Sequence, residues 1–144
     1  MFMSSIGLVT KVIDGDTIRV KFYKDQTNLK GLTDEIKIRF AGMDTPELNE
    51  TNGKEPERWA YDAKNFVEKI IGNTNVKVEF LGIDRFNRDI GIIHLINGTD
   101  LNQLLIEGGY AKIYKGNNQQ YGRKLAEYQE AENRARMKRL RLWQ

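Results

Sequence analysis

Residues 6–13 alternate between apolar and polar positions well enough for a strand, residues 17–23 alternate cleanly with a period of two, and Asp14-Gly15-Asp16 supplies a tight turn between them. A period of two sends successive side chains to opposite faces of a strand. The stretch therefore predicts two strands, Ile6 to Ile13 and Thr17 to Tyr23, folded back on each other as a hairpin. A third strand is predicted over Glu35 to Met43, after a polar, solvated loop from Asp25 to Asp34 that contains Gly31. Three strands in a meander leave a face bare and edges open, so they need a cover or a closure.

The rest of the chain supplies both. Leu48 to Glu55 reads as a surface loop, and Pro56 suits the first position of a helix. Trp59, Ala63, Phe66, Val67, Ile70 and Ile71 then share one face at helical spacing, with Gly72 as the stop. Val76 to Phe80 alternates as a strand, Asp84 to Arg88 is a charged turn, and Asp89 to Ile96 returns as a further strand. Asn97-Gly98-Thr99-Asp100 caps a short helix through Leu101, Leu104, Leu105 and Ile106, closed by Gly108-Gly109. A brief extended piece over Tyr110 to Tyr114 leads into the turn Lys115-Gly116-Asn117-Asn118. A final helix is predicted from about Gln119 to Lys138, with Leu125, Tyr128, Ala131 and Ala135 facing inward. Five strands with helices interspersed late make an α+β chain, a small β-barrel with helical packing. At 144 residues, without repeat or linker, residues 1–144 read as one domain.

Composition removes several chemistries. The chain has no cysteine, so thiolate metal sites, cysteine nucleophiles and disulfides are excluded. Its single histidine, His94, lies in the apolar run Gly91 to Ile96 and reads as a strand residue with a satisfied ring. That removes histidine triads and multi-histidine zinc sites. Acid–base or metal work falls to carboxylates, lysine, arginine or tyrosine. The net charge of +3 and a pI of about 9.1 lean mildly toward polyanionic partners. No apolar run approaches the ~20 residues that span a bilayer.

Three clusters carry the candidate chemistry. Arg39-Phe40-Ala41-Gly42-Met43-Asp44-Thr45-Pro46-Glu47 is an extended run that must end near its proline, which removes an amide donor and biases Thr45 away from helix. It holds one arginine and two carboxylates at a strand end, where a hard cation and a phosphate would both fit. Asp14-Gly15-Asp16-Thr17 puts two acids on a glycine turn, the pattern of an ordinary hairpin turn and equally of an ion site. Oxygen ligands from Asp16, Asp44 and a turn carbonyl would favour a hard cation such as calcium. Arg88 begins a strand after the turn Asp84-Arg85-Phe86-Asn87, and with Arg39 it would grip a phosphate from two sides. Arg134, Arg136, Lys138, Arg139 and Arg141 crowd the C-terminus and read as a solvated helix face favoured by the helix dipole, with a polyanion-steering patch as the alternative.

These clusters, in this order, resemble the staphylococcal nuclease (thermonuclease) family, and the resemblance runs from about Val9 to Trp143. It implies a five-stranded OB-fold barrel with three helices. It further implies Asp16, Asp44 and the Thr45 carbonyl as calcium ligands, Glu47 as the residue that positions or deprotonates the attacking water, and Arg39 and Arg88 as the phosphate-binding pair. Arg85, Phe86 and Tyr114 become candidate substrate contacts, Tyr114 by base stacking. The implied activity is calcium-dependent endonucleolytic hydrolysis of DNA and RNA at the 5′ P–O bond, leaving 3′-phosphates, with single strands preferred. The resemblance implies secretion, and a monomer is the default expectation because nothing in the sequence marks an interface. The start, Met1 to Ile6, shows no basic segment followed by an apolar one, so no signal peptide is visible.

The chain departs from the family pattern in four places. The 25–34 segment is longer than the usual hairpin, Phe86 stands where the family has tyrosine, Asn87 where it has glycine, and the turn before Arg88 is shorter than in the type member. Asparagine tolerates a left-handed turn, so Arg88 should still be aimed. The alternatives are a non-catalytic OB-type nucleic-acid-binding module and a small-anion or nucleotide-binding barrel. The binding-only module has no need for Asp16, Arg39, Asp44, Glu47 and Arg88 together, and all five are present, while the anion-binding barrel would bind a 3′,5′-bisphosphate tightly without turnover.

Overall fold

The hairpin predicted from residues 6–23 is the seed of the barrel. The computed structural model describes residues 3–115 and 121–144. In it β1 (Ser4–Asp14) pairs antiparallel with β2 (Thr17–Asp25) across the Asp14-Gly15-Asp16 turn. β2 carries β3 (Lys30–Leu32) and β4 (Ile36–Phe40), and β5 (Met43–Asp44) follows after a two-residue break. After helix α1 (Ala60–Ile71) come β6 (Asn75–Ile83) and β7 (Asp89–His94). Helix α2 (Leu101–Glu107), β8 (Lys112–Ile113), helix α3 (Leu125–Met137) and a 3-10 turn (Arg141–Trp143) complete the order.

The hydrogen-bonded order β1-β6-β7-β4-β2 closes on itself through the β1–β2 ladder, giving a five-stranded barrel. Four of its ladders are antiparallel and the β4–β7 ladder is parallel. Closure removes the open edges that a three-stranded meander would present. Inward positions are filled by Val9, Ile18, Val20, Ile38, Phe40, Val76, Val78 and Ile93, all fully buried. α1 lays Ala63, Val67 and Ile71 against β1, as its helical spacing predicted. The parallel junction is secured by Asn102 of α2. Its amide donates to the carbonyls of Ala41 and Gly91, and its oxygen accepts from the Ile93 amide. With no exposure at all, this side chain satisfies backbone groups that the ladder leaves over.

His94 is a strand residue whose ring nitrogen meets Glu79 at 3.1 Å, as read from the sequence. Elsewhere the structure corrects the reading. The 25–34 loop is not featureless, because Lys30–Leu32 pairs with β2 and the Thr33 hydroxyl accepts from the Phe22 amide. The third strand is not continuous to Met43. Gly42 takes a left-handed turn (φ 75°), and β5 leaves the barrel to pair with β8. The first helix begins at Ala60 rather than Pro56, because Trp59 is itself left-handed (φ 73°). The last helix begins at Leu125 rather than Gln119. Before it, Gly122 (φ 59°) brings the chain over Leu81 and Ile92. Leu125 is 40% exposed, and the inward face is Tyr128, Ala131, Glu132 and Ala135. The turn residues 116–118 and the helix start at Gln119 lie outside the described residues.

The C-terminal cations are largely tied down. Arg134 pairs with Glu107 at 2.7 Å, Arg136 lies over the Trp143 ring, and Arg141 lies over Tyr110 while donating to the Gly108 carbonyl. Among the described residues, no helix is long and apolar enough to cross a membrane.

Candidate active site

The hairpin turn and the end of β4 meet because Thr17 sits opposite Arg39 in the β2–β4 ladder. Asp16, one residue before Thr17, therefore lies beside the Arg39 guanidinium. Their ion pair is 2.9 Å long and both residues are buried. A second arm of the same guanidinium reaches Asp44 at 2.5 Å, and the Asp44 side chain is 45% exposed. Asp16 is held further by the Thr45 amide at 3.0 Å and the Thr17 hydroxyl at 3.1 Å. Gly15 makes this approach feasible, since a methyl group there would fall 2.7 Å from the Ala63 Cβ and 2.9 Å from the Thr45 side chain.

The loop that follows is pinned at both ends. The Glu47 amide donates to a Glu57 carboxylate oxygen at 2.6 Å, and the Glu57 amide donates back to the Glu47 carbonyl at 2.9 Å. Leu48 is buried beneath the loop, while Glu47 itself stays exposed. Glu47, Asp44, Thr45, Glu57, Arg58 and Lys112 line a cavity of about 410 Å³. A second cavity, about 440 Å³, continues past Asp44 and Lys112 to Tyr114, Arg136 and Trp143. Tyr114 is fixed there by its backbone: its amide donates to the Gly42 carbonyl, and its carbonyl accepts from the Tyr121 hydroxyl.

Acid outnumbers base in this cluster, and the carboxyls register it. Burial and the neighbouring Asp16 push Asp14 up to about 7. Burial would also raise Asp16, but Arg39 and the hydrogen bonds to its carboxylate hold it below the usual range. Asp44 is raised despite its short contact with Arg39, because burial and the nearby Asp16 and Glu57 outweigh a cation it shares. Glu47 is raised by partial burial and by the charges of Asp16 and Asp44. Among the described residues Arg39 makes the direct ion pairs with these acids, to Asp16 and Asp44.

Arg88 stands apart from these acids. Asp84 receives its Nε at 2.8 Å and its backbone amide at 2.9 Å, so the guanidinium is held by its own turn. Asn87 is left-handed (φ 61°), the conformation expected for the residue that replaces glycine. The Phe86 ring is 66% exposed and lies between the Arg85 and Arg88 guanidiniums, 5.1 and 5.5 Å from its centroid. The structure thus gathers Asp16, Arg39, Asp44 and Thr45 into direct contact, with Glu47 beside them. Arg85, Phe86 and Arg88 form a separate turn, and Tyr114 lines the neighbouring cavity. Sequence reasoning missed Glu57 and Lys112. Glu57 carries no motif, and Lys112 reaches the site only through the long-range β5–β8 pairing.

The barrel, its strand order and its three helices define an OB-fold protein of the α+β class. A family model described as "Staphylococcal nuclease homologue" matches residues 37–144. That span covers every candidate residue except Asp16, which reaches the site through the barrel itself. An uncharacterized protein of Methanocaldococcus jannaschii is 30% identical over 160 residues, covering 95% of this chain and 70% of its own. Endonuclease Htp3 of Saprolegnia parasitica is 29% identical over 146 residues, covering 95% and 69%. An uncharacterized endonuclease of Escherichia coli O157:H7 is 28% identical over 112 residues, covering 78% and 63%. The chain belongs to the staphylococcal nuclease family, whose members hydrolyse phosphodiester bonds.

Proposed function

We propose that the protein is a calcium-dependent endonuclease that hydrolyses DNA and RNA at the 5′ P–O bond, leaving 3′-phosphates and preferring single strands. The observation that carries the reading is the cluster of buried Asp16 and Arg39 with half-exposed Asp44, and Glu47 at its open side. Its donor set fits a hard cation. All acidic donors are oxygens, three carboxyls are raised by burial and by their neighbours' charges, and the Thr45 hydroxyl is buried with no hydrogen-bond partner among the described residues. Among the described residues no three acid, histidine or cysteine side chains form a ready-made cage. The ion would be held by Asp16, Asp44 and the Thr45 carbonyl, with water in the remaining positions. When bound, calcium supplies charge neutralisation for the phosphodiester.

The other steps belong to the chain's own groups. Glu47 is exposed to water and its carboxyl is raised, which brings it closer to the optimum for a general base at neutral pH. It orients the attacking water and accepts its proton. Arg39 meets a phosphate oxygen with the arm that now holds half-exposed Asp44, while the arm on buried Asp16 stays fixed. Arg88 uses Nε for Asp84 and leaves its two terminal nitrogens for the phosphoryl oxygens. The two arginines therefore oppose charge where it grows in the transition state. Phe86 offers an exposed ring to a base or sugar, without the hydroxyl of a tyrosine.

The test is end-group analysis of a cleaved oligonucleotide, together with Glu47→Gln. The reading predicts 3′-phosphate products and a loss of roughly 10²–10⁴-fold in kcat for the variant. Products with 3′-hydroxyl ends, or a variant within a few-fold of the wild type, would overturn the assigned chemistry.

A further inference from the structure

Four cations stand in one row across the outside of the barrel. Lys11 is paired with Arg19 in the β1–β2 ladder, and Arg19 is paired with Lys37 in the β2–β4 ladder. The parallel β4–β7 ladder begins with Ile38 opposite Asp89, the residues that directly follow Lys37 and Arg88 in the chain, so Arg88 enters β7 at the end of this row. Cross-strand partners share a face, and the alternate residues Val12, Ile18, Val20 and Ile38 fill the core. The row therefore faces outward, with Lys11 and Lys37 exposed and Arg19 and Arg88 partly so. With adjacent strands about 4.8 Å apart, four strands span roughly 14 Å. Arg39 lies on the same face two residues along β4 from Lys37, opposite Thr17.

Like charges set directly opposite one another weaken a sheet, so this arrangement does not serve folding. Two carboxylates sit against it: Glu35 accepts from the Thr10 hydroxyl at 2.6 Å and lies 3.4 Å from Arg19, and Asp84 holds Arg88 at 2.8 Å. Lys21 also acts on Glu35, so cations still dominate. The Arg19 Nε is buried and has no hydrogen-bond partner among the described residues. The row leads to both arginines assigned to the phosphate, and a polyanion crossing the strands would meet them in sequence.

We infer that the Lys11–Arg19–Lys37 row is a docking track for the phosphate backbone of single-stranded nucleic acid, delivering it to Arg88 and Arg39. This rests on the nuclease reading and adds a path for the part of the polymer that is not being cut. Backbone contacts carry no base information, so the track raises affinity with polymer length and leaves sequence preference unchanged.

The experiment measures binding of a labelled oligothymidylate in chelator, over a salt series, for the wild type and the double variant Lys11→Gln/Lys37→Gln. The slope of log K against log[salt] is expected to become shallower by about 1.4, at roughly 0.7 per cation removed from a single strand. Glu35→Gln is expected to tighten binding. The double variant's thermal midpoint should not fall, because the opposed charges are relieved. With calcium, its KM advantage for a long oligonucleotide over a dinucleotide should shrink. If the double variant binds with unchanged slope and affinity while the wild type binds and cleaves, the track is refuted and the nuclease reading stands. If the wild type neither binds nor cleaves, both fall.

Discussion

Replacing Arg39 by glutamine separates the two jobs assigned to that residue. In the folded protein the guanidinium is the principal partner of Asp16, a carboxylate only 8% exposed, at 2.9 Å. Removing one member of a buried pair strands the other, at a cost of about 3–5 kcal/mol. The Thr17 and Thr45 hydrogen bonds persist and place the expected loss near the lower end, about 3 kcal/mol. In urea, with a slope of about 1–3 kcal/mol per molar, that is a midpoint drop of roughly 1–3 M at unchanged slope. The pH dependence follows from Asp16, whose carboxyl is held below its ordinary value by Arg39. A depressed carboxyl contributes stability above its unfolded pKa, near 4, and loses it as pH falls toward the folded value. Without the arginine, burial raises the same carboxyl, so the variant is penalised increasingly as pH rises above that point. The gap should be widest at neutral pH and close in acid. The assay is urea unfolding followed by circular dichroism in chelator, from neutral pH down through 4. A loss under about 1 kcal/mol at neutral pH, or a gap independent of pH, would refute the claim that this pair carries the site.

Three further outcomes follow from the same geometry. Asp14→Asn should raise stability at pH 8 by on the order of 2 kcal/mol, because a carboxyl pushed to about 7 penalises the fold above its unfolded pKa, and the gain should vanish below pH 4 in urea titrations. Asn102→Ala removes three hydrogen bonds at the β4–β7 junction and should cost about 3 kcal/mol or more, read by thermal unfolding. Asp84→Ala frees Arg88 from its turn and should lower kcat/KM for DNA about tenfold or more, and it should also cost about 1–3 kcal/mol in urea unfolding, since the carboxylate accepts from the Phe86 and Arg88 amides and from the Arg88 Nε.

The barrel was legible wherever a local period dictated it. Residues 17–23 and 76–80 alternate because one face of each strand fills the core, residues 89–96 read as a strand from an apolar run buried on both faces, and the helices show their faces at 3.6-residue spacing. What escaped has non-local causes. Lys30-Gly31-Leu32 has no pattern of its own and is a strand only because β2 offers an edge. The break at Gly42 depends on Lys112–Ile113, a partner some seventy residues away. The start of α1 is set by Trp59, a left-handed residue of a type that does not favour that conformation, while the left-handed Gly122 three residues ahead of α3 is a breaker that helical spacing alone passes over. In the site, acids and arginines were visible as motifs because each motif is contiguous. That Arg39 turns its charge onto Asp16 and Asp44, and that Arg88 is held by Asp84, required the fold.

The most direct measurement is hydrolysis of single-stranded DNA by the purified wild-type protein at neutral to alkaline pH, with calcium on the order of millimolar and then with excess chelator. The account predicts degradation in calcium and none in chelator. Intact DNA under both conditions, or equal degradation with and without the ion, would contradict it.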